Sequence, residues 1–167
     1  MQNYSRIIST GSYLPEKILT NKDLEKMVDT SHEWIIERTG IESRHIASED
    51  ESSVDMAYNA SINAIKNAGI DSNTIDMIIV ATTTPERKFP STAVLLQNKL
   101  KNNRAFAFDL NAACTGFIYA LDIANTYIKN GVANRVLVVG TEKITSLLDW
   151  SDRNTCILFG DGAGAAV

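Results

Sequence analysis

Two apolar runs, residues 77–83 and 135–140, most constrain how this chain can fold. The first reads Met-Ile-Ile-Val-Ala-Thr-Thr, and the second closes on Gly140. Neither alternates polar with apolar, which suits strands buried on both faces. Segments of helical pattern separate such runs. Residues 53–68 carry Val54, Ala57, Ala60, Ala64, Ile65 and Ala68 at three- and four-residue spacings, an amphipathic helix with Gly69 at its C-terminal cap. Pro90 is expected at the first position of a helix reaching about Leu100. A strand over 105–110, a helix over 115–129 and a stop at Gly131 follow. Upstream, a strand is expected over 6–12, bounded by Gly11 and Pro15. Asn21 is expected to cap a helix over 22–28, and a second short helix over 31–38 ends at Gly40. Residues 156–159 read as a further strand, followed by Gly160-Asp161-Gly162-Ala163-Gly164. Strands alternating with helices indicate an α/β domain with a largely parallel central sheet.

Ligands of such sheets gather at the carboxyl ends of the strands. Cys114 falls there, between the strand over 105–110 and the helix over 115–129. A thiol at that point faces unpaired backbone N–H groups and the positive end of a helix dipole. That field favours the thiolate, the nucleophilic form. Ala112, Ala113, Thr115 and Gly116 leave room for a substrate. The alternative is a buried, inert cysteine acting as a small hydrophobe.

The 167 residues suffice for one ordinary domain, and 44% hydrophobic with 22% charged residues is the balance of a soluble globular chain. A net charge of -4 argues against bulk attraction to nucleic acid or an anionic membrane. No apolar stretch approaches the roughly 20 residues of a membrane span. The first six residues lack the order of a signal peptide, so the expected location is the cytoplasm. The Asn3-Tyr4-Ser5 and Asn59-Ala60-Ser61 sequons mean little without secretion. Cys114 and Cys156 make no disulfide framework, and neither they nor His32 and His45 show metal-ligand spacing. Ala165-Ala166-Val167 reads as part of another buried strand with no polar tail, so the chain is expected to be a piece of a longer protein.

Several strings, in order, carry a resemblance. They are Thr30-Ser31-His32-Glu33-Trp34-Ile35-Ile36-Glu37-Arg38-Thr39-Gly40-Ile41, Phe89-Pro90-Ser91, Ala112-Ala113-Cys114-Thr115-Gly116-Phe117, Asp152-Arg153, and the run from Phe159 to Val167. Together they resemble the beta-ketoacyl-acyl-carrier-protein synthase III family. The resemblance implies an α/β thiolase-type fold, of which residues 1–167 are the N-terminal domain, with a central mixed, largely parallel sheet and helices on both faces. It implies a homodimer, and the first condensation of fatty acid synthesis. An acyl group passes from acyl-CoA to Cys114, and malonyl-acyl carrier protein then loses carbon dioxide and attacks the thioester. Coenzyme A takes part as a substrate thioester, with no permanently bound cofactor and no metal. Members are about twice as long, and their catalytic histidine and asparagine belong to the half absent here.

By the same resemblance, Trp34, Arg38, Arg153 and Thr30 contact coenzyme A. Trp34 and Arg38 lie four apart, on one helix face, where an indole can stack on adenine and a guanidinium can pair with phosphate. A surface aromatic–cation pair or ordinary packing is the plainer reading of Trp34–Arg38, and a helix cap that of Thr30. Phe89 matches a residue that reaches across the dimer into the partner's acyl pocket; otherwise it is a core phenylalanine on a loop. The glycine run lacks the Lys-Ser/Thr of a phosphate loop, so tight turning and close packing are expected of it. Cys156 is expected to be structural, and Asp109 and Asp161 solvated or capping. Two alternatives remain: a thiolase-fold acyltransferase with another acceptor, and an inactive fragment that binds coenzyme A.

Overall fold

The computed structural model describes residues 4–167, so Asn3 of the first sequon lies outside the described residues. The elements in chain order are β1 (Thr10–Tyr13), β2 (Lys17–Thr20), α1 (Asn21–Leu24), α2 (His32–Thr39), β3 (Ser43–Ile46) and α3 (Ser53–Ala68). Then come β4 (Met77–Ala81), α4 (Thr92–Lys99), β5 (Phe106–Leu110), α5 (Gly116–Lys129), β6 (Val136–Lys143), α6 (Arg153–Cys156) and β7 (Asp161–Ala166). Five strands form one sheet in the order β1-β7-β6-β4-β5. β4 runs parallel to β5 and β6, whereas β7 is antiparallel to both β6 and β1. β7 is therefore the one reversed strand of this sheet, which is mixed and largely parallel as expected.

All five residues of β4 are buried, as a strand covered on both faces requires. Successive side chains go to opposite faces. Ile78 and Val80 join Leu137 and Val139 in a core with the Ala-rich face of α3 and with Ala93 and Leu96 of α4. Met77 and Ile79 join Val136 and Val138 in a second core against Ala120 and Ala124 of α5. Ser52 and Asp55 cap α3 reciprocally, and Gly69 ends it at φ 65°. Small residues bring α3 onto β1: a Cβ on Gly11 would lie 2.3 Å from the Ala64 nitrogen and 2.4 Å from the Ala60 oxygen.

Several local expectations are corrected. The first strand is Thr10–Tyr13 rather than 6–12, although Ile8 and Ser9 still exchange backbone hydrogen bonds with Val167. The cap of α1 is Thr20, and Asn21 is buried within the helix, donating its side-chain amide to the Ile41 carbonyl at 2.7 Å. α1 itself is four residues long, not seven. Ser91, not Pro90, leads into α4; its hydroxyl accepts the Val94 N–H, and the Phe89–Pro90 peptide before it is cis. The antiparallel pair β2–β3 had no signal in the sequence, because β2 is mostly exposed and carries no alternation.

The strand expected over 156–159 is instead the end of α6 and a turn. Asp152 accepts the Asn154 N–H and the Thr155 hydroxyl, and its carbonyl accepts the Cys156 N–H at 3.0 Å. One helical turn buries Cys156 and Ile157 against Leu24 and Ile35 while Leu158 and Phe159 stay exposed. A four-residue apolar run fits either geometry. The glycine run is not a tight turn but strand β7. Its close packing holds, since a Cβ on Gly162 would lie 2.9 Å from Leu14 Cδ2 and one on Gly160 would lie 2.9 Å from Arg44 Cβ. Asp161 is buried rather than solvated, and it accepts the Ala47 and Thr145 N–H groups and the Thr145 hydroxyl.

Candidate active site

β5 ends at Leu110, and a short 3-10 turn over Ala113–Thr115 leads directly into α5. Cys114 stands in that turn and is exposed. Ala113 before it has φ 48°, a left-handed conformation costing about 1 kcal/mol for a residue with a Cβ. Gly116 lets the start of α5 lie against β4, where a Cβ would come 3.1 Å from Ala81 Cβ. A Cβ on Gly140 would likewise meet Phe117 at 3.4 Å. The thiol therefore lies over the carboxyl ends of β4 and β6. A cavity of about 610 Å³ opens there, lined by Cys114, Phe117, Ala81, Thr83, Gly140 and Glu142, among others. A second open hollow of about 720 Å³ is lined by Tyr13, Glu16, Lys17, Asp50 and Glu51; it does not include Cys114 and offers no comparable nucleophile.

Two carboxylates hold the loop between β4 and α4. The Glu142 carboxylate accepts the Thr83 N–H at 2.7 Å, the Thr83 hydroxyl at 3.0 Å and the Thr84 hydroxyl at 2.6 Å. Asp109 accepts the Thr92 and Ala93 N–H groups at 2.8 and 2.7 Å, satisfying donors at the start of α4. Asp109 thus caps, as expected. Glu142 was not foreseen, although a carboxylate at the carboxyl end of a buried strand was a usable signal.

Trp34, Arg38 and Arg153 form a second cluster. The Ser31 hydroxyl caps α2 by accepting the Trp34 N–H at 3.1 Å. The Arg38 guanidinium carbon is 4.2 Å from the Trp34 ring centroid, and that of Arg153, brought by α6, is 4.9 Å away. Arg153 also donates to the Asp29 carbonyl at 2.9 Å. Behind the cluster, buried Arg44 donates to the Leu19 and Ile157 carbonyls at 3.2 and 2.9 Å, tying β3 to β2 and to the end of α6. Burial pulls its guanidinium down from the ordinary arginine value. Arg44 was also missed; a buried arginine has no periodic signature.

Thr30 is not the cap of α2, since Ser31 is; its hydroxyl is buried and without a hydrogen-bond partner among the described residues. Phe89 is 88% exposed at the loop between β4 and α4 and is not part of the cavity at Cys114, so it is not a core phenylalanine. His32 and His45 do not line that cavity either. Burial, reinforced by the Asp152 carboxylate, pushes the Cys156 thiol up and away from reactivity. Among the described residues, no group of three or more His, Cys, Asp or Glu could hold a metal, and no helix is long and apolar enough to cross a membrane.

Residues 108–167 match the family model of 3-oxoacyl-[acyl-carrier-protein] synthase III. The chain is 57% identical over 164 residues to a beta-ketoacyl-[acyl-carrier-protein] synthase III of Xanthomonas oryzae pv. oryzae, covering 98% of this chain and 50% of that protein. Its fold matches the crystal structure of 3-oxoacyl-[acyl-carrier-protein] synthase III from Aquifex aeolicus with a TM-score of 0.94 at 56% identity, covering 96% of this chain and 52% of the other. It also matches the priming beta-ketosynthase of the R1128 polyketide pathway with a TM-score of 0.96 at 42% identity, covering 99% and 49%. The chain spans about half the length of the curated relatives it matches.

Proposed function

The chain belongs to the beta-ketoacyl-[acyl-carrier-protein] synthase III family of condensing enzymes with a thiolase-type fold, and on that premise we propose that it supplies the N-terminal half of an enzyme that starts fatty acid synthesis in the cytoplasm. The Cys114 thiolate attacks the carbonyl carbon of an acyl-CoA, acetyl-CoA first among them, and coenzyme A leaves as its thiolate. Malonyl-acyl carrier protein then loses carbon dioxide. The resulting carbanion attacks the acyl-cysteine, and the Cys114 thiolate departs as 3-oxoacyl-acyl carrier protein forms. A thioester suits both steps, because its carbonyl stays electrophilic and a thiolate leaves readily. The Cys114 backbone N–H is one candidate donor to the tetrahedral oxyanion.

The observation that carries this reading is the exposed Cys114 at the entry to α5, opening into a cavity over the strand ends. The Trp34–Arg38–Arg153 cluster supports a nucleotide end: an indole face for adenine and two guanidinium groups for phosphate. Thr30 belongs to the same segment, and its hydroxyl, buried and unpartnered among the described residues, is proposed to meet the nucleotide only when its cover moves aside. Phe89 is proposed to enter the acyl pocket of a partner subunit in a homodimer, where its size limits the primer; its exposure is what such a contact requires.

Intact-mass spectrometry of the full-length protein before and after acetyl-CoA tests the reading. The expected result is one added acetyl group, absent in Cys114→Ala. An unmodified wild-type protein would leave only a coenzyme A-binding role. Carbon dioxide release from malonyl-acyl carrier protein separates condensation from transfer to another acceptor; acylation without that release would exclude the condensing reaction.

A further inference from the structure

The loop of residues 82–91 is anchored at both ends and free between. Glu142 holds its start through Thr83 and Thr84, and Asp109 holds its far end at Thr92 and Ala93. The start is further braced, because the Thr84 hydroxyl accepts the Lys143 N–H at 2.8 Å and its carbonyl accepts the Ser53 hydroxyl at 2.8 Å. Pro85, Glu86, Arg87, Lys88 and Phe89 are all exposed. Both Glu142 and Thr83 line the cavity of Cys114, so the clasp is also part of the cavity wall.

We propose that Glu142 is a positioning residue for the acyl end of this site: its carboxylate sets where Thr83 stands beside Cys114, and so which acyl chains the thiol accepts. The inference rests on the acyl-transfer reading above. The chemistry of the clasp is one-sided. An ionised carboxylate has acceptors only, and here it meets three donors, so each contact is charge-assisted. Glutamine keeps one acceptor oxygen, while its NH₂ group forces the threonine hydroxyls to turn and accept. Alanine removes all three contacts and leaves the Thr83 N–H unpaired. Asp109 still holds the far end in either variant, so the loss falls on the loop's start. Cys114 is held separately by its own turn and α5. Moving one wall without moving the thiol changes selectivity among primers more than it changes reactivity.

The test compares the full-length wild type with Glu142→Gln and Glu142→Ala, reading the rate of Cys114 acylation from acetyl-CoA and from octanoyl-CoA. The expected result is a shift of roughly fivefold or more in the ratio of the two rates in Glu142→Ala and a smaller shift in Glu142→Gln. Faster amide hydrogen exchange at Thr83, with α5 unchanged, accompanies it. A residue that only stabilises the fold would lower both rates together and leave their ratio alone; an unchanged ratio overturns the proposal. If Glu142→Ala does not fold, the ratio in Glu142→Gln decides. A wild type that is not acylated tells against the acyl-transfer reading and takes this inference with it, whereas a reactive wild type with unchanged ratios in the variants tells against Glu142 alone.

Discussion

Arg153 lies on the indole of Trp34, its guanidinium carbon 4.9 Å from the ring centroid, although the two residues belong to opposite ends of the chain. Arg38 approaches the same ring at 4.2 Å. An exposed cation–π contact contributes about 0.5–1 kcal/mol. Stacking of a base on an aromatic ring contributes about 1–3 kcal/mol. On the proposed nucleotide role, a base that displaces one guanidinium from the ring still gains, and the displaced group is freed to pair with phosphate.

From that balance, Trp34→Ala, Arg38→Ala and Arg153→Ala in the full-length protein should each raise KM for acyl-CoA by roughly tenfold while changing kcat by less. Their proposed contact is with the nucleotide end of the substrate, away from the bond that changes. Steady-state kinetics with acetyl-CoA check it; a loss confined to kcat would remove the nucleotide role from the residue concerned.

Cys114→Ala should abolish the acyl adduct and condensation while leaving coenzyme A affinity within about twofold, because the thiol and the Trp34 cluster are separate groups. Titration calorimetry with coenzyme A and intact mass measure the two properties independently. Turnover at the wild-type rate in this variant would end the nucleophile assignment.

Gly11→Ala should destabilise by about 3 kcal/mol or more, because the new methyl meets the backbone of α3 rather than a yielding side chain. Thermal unfolding of the full-length variant should show a fall in Tm of several degrees. A Tm within one degree of wild type would mean that β1 and α3 part easily.

The Asp23 carboxyl accepts the Thr20 hydroxyl at 2.6 Å, the Lys26 ammonium at 2.9 Å and the Thr20 N–H at 3.2 Å. These bonds, the Thr20 hydroxyl first, hold its pKa down to about 2 from the ordinary 3.8. A carboxyl depressed on folding stabilises above its unfolded value, and that contribution is lost as pH falls through about 2. Thr20→Val should move the Asp23 pKa back toward 3.8, read by NMR titration of the carboxyl carbon. No movement would mean that Lys26 and the backbone N–H of residue 20 sustain the shift without the hydroxyl.

Much of the architecture was legible because it is written locally. The β4 run, the capped helix α3 with its closing glycine, and the turn that carries Cys114 all depend on residues within a few positions of one another. The site was only half legible. Cys114 was marked by its position between a strand and a helix, whereas Trp34 and Arg38 were singled out through the resemblance; Glu142 carried only the signal of a carboxylate at a strand's carboxyl end, and nothing beside Arg44 in the chain marks its hold on Ile157. The short apolar stretch at Cys156 misled for a related reason, since only its neighbours in space choose between strand and helix.

The sequence by itself determined the alternation of strands and helices, the cores on the two faces of β4, and the setting of Cys114 at the entry to α5, because periodicity and capping act over one or two turns. Only the tertiary structure decided the pairing of β2 with β3, the extension of the glycine run as β7, the meeting of Arg153 with Trp34, and the hold of Glu142 on Thr83. Each of these requires backbone and side-chain groups from distant segments to meet at hydrogen-bonding or van der Waals distance, and that meeting exists only once the chain has folded.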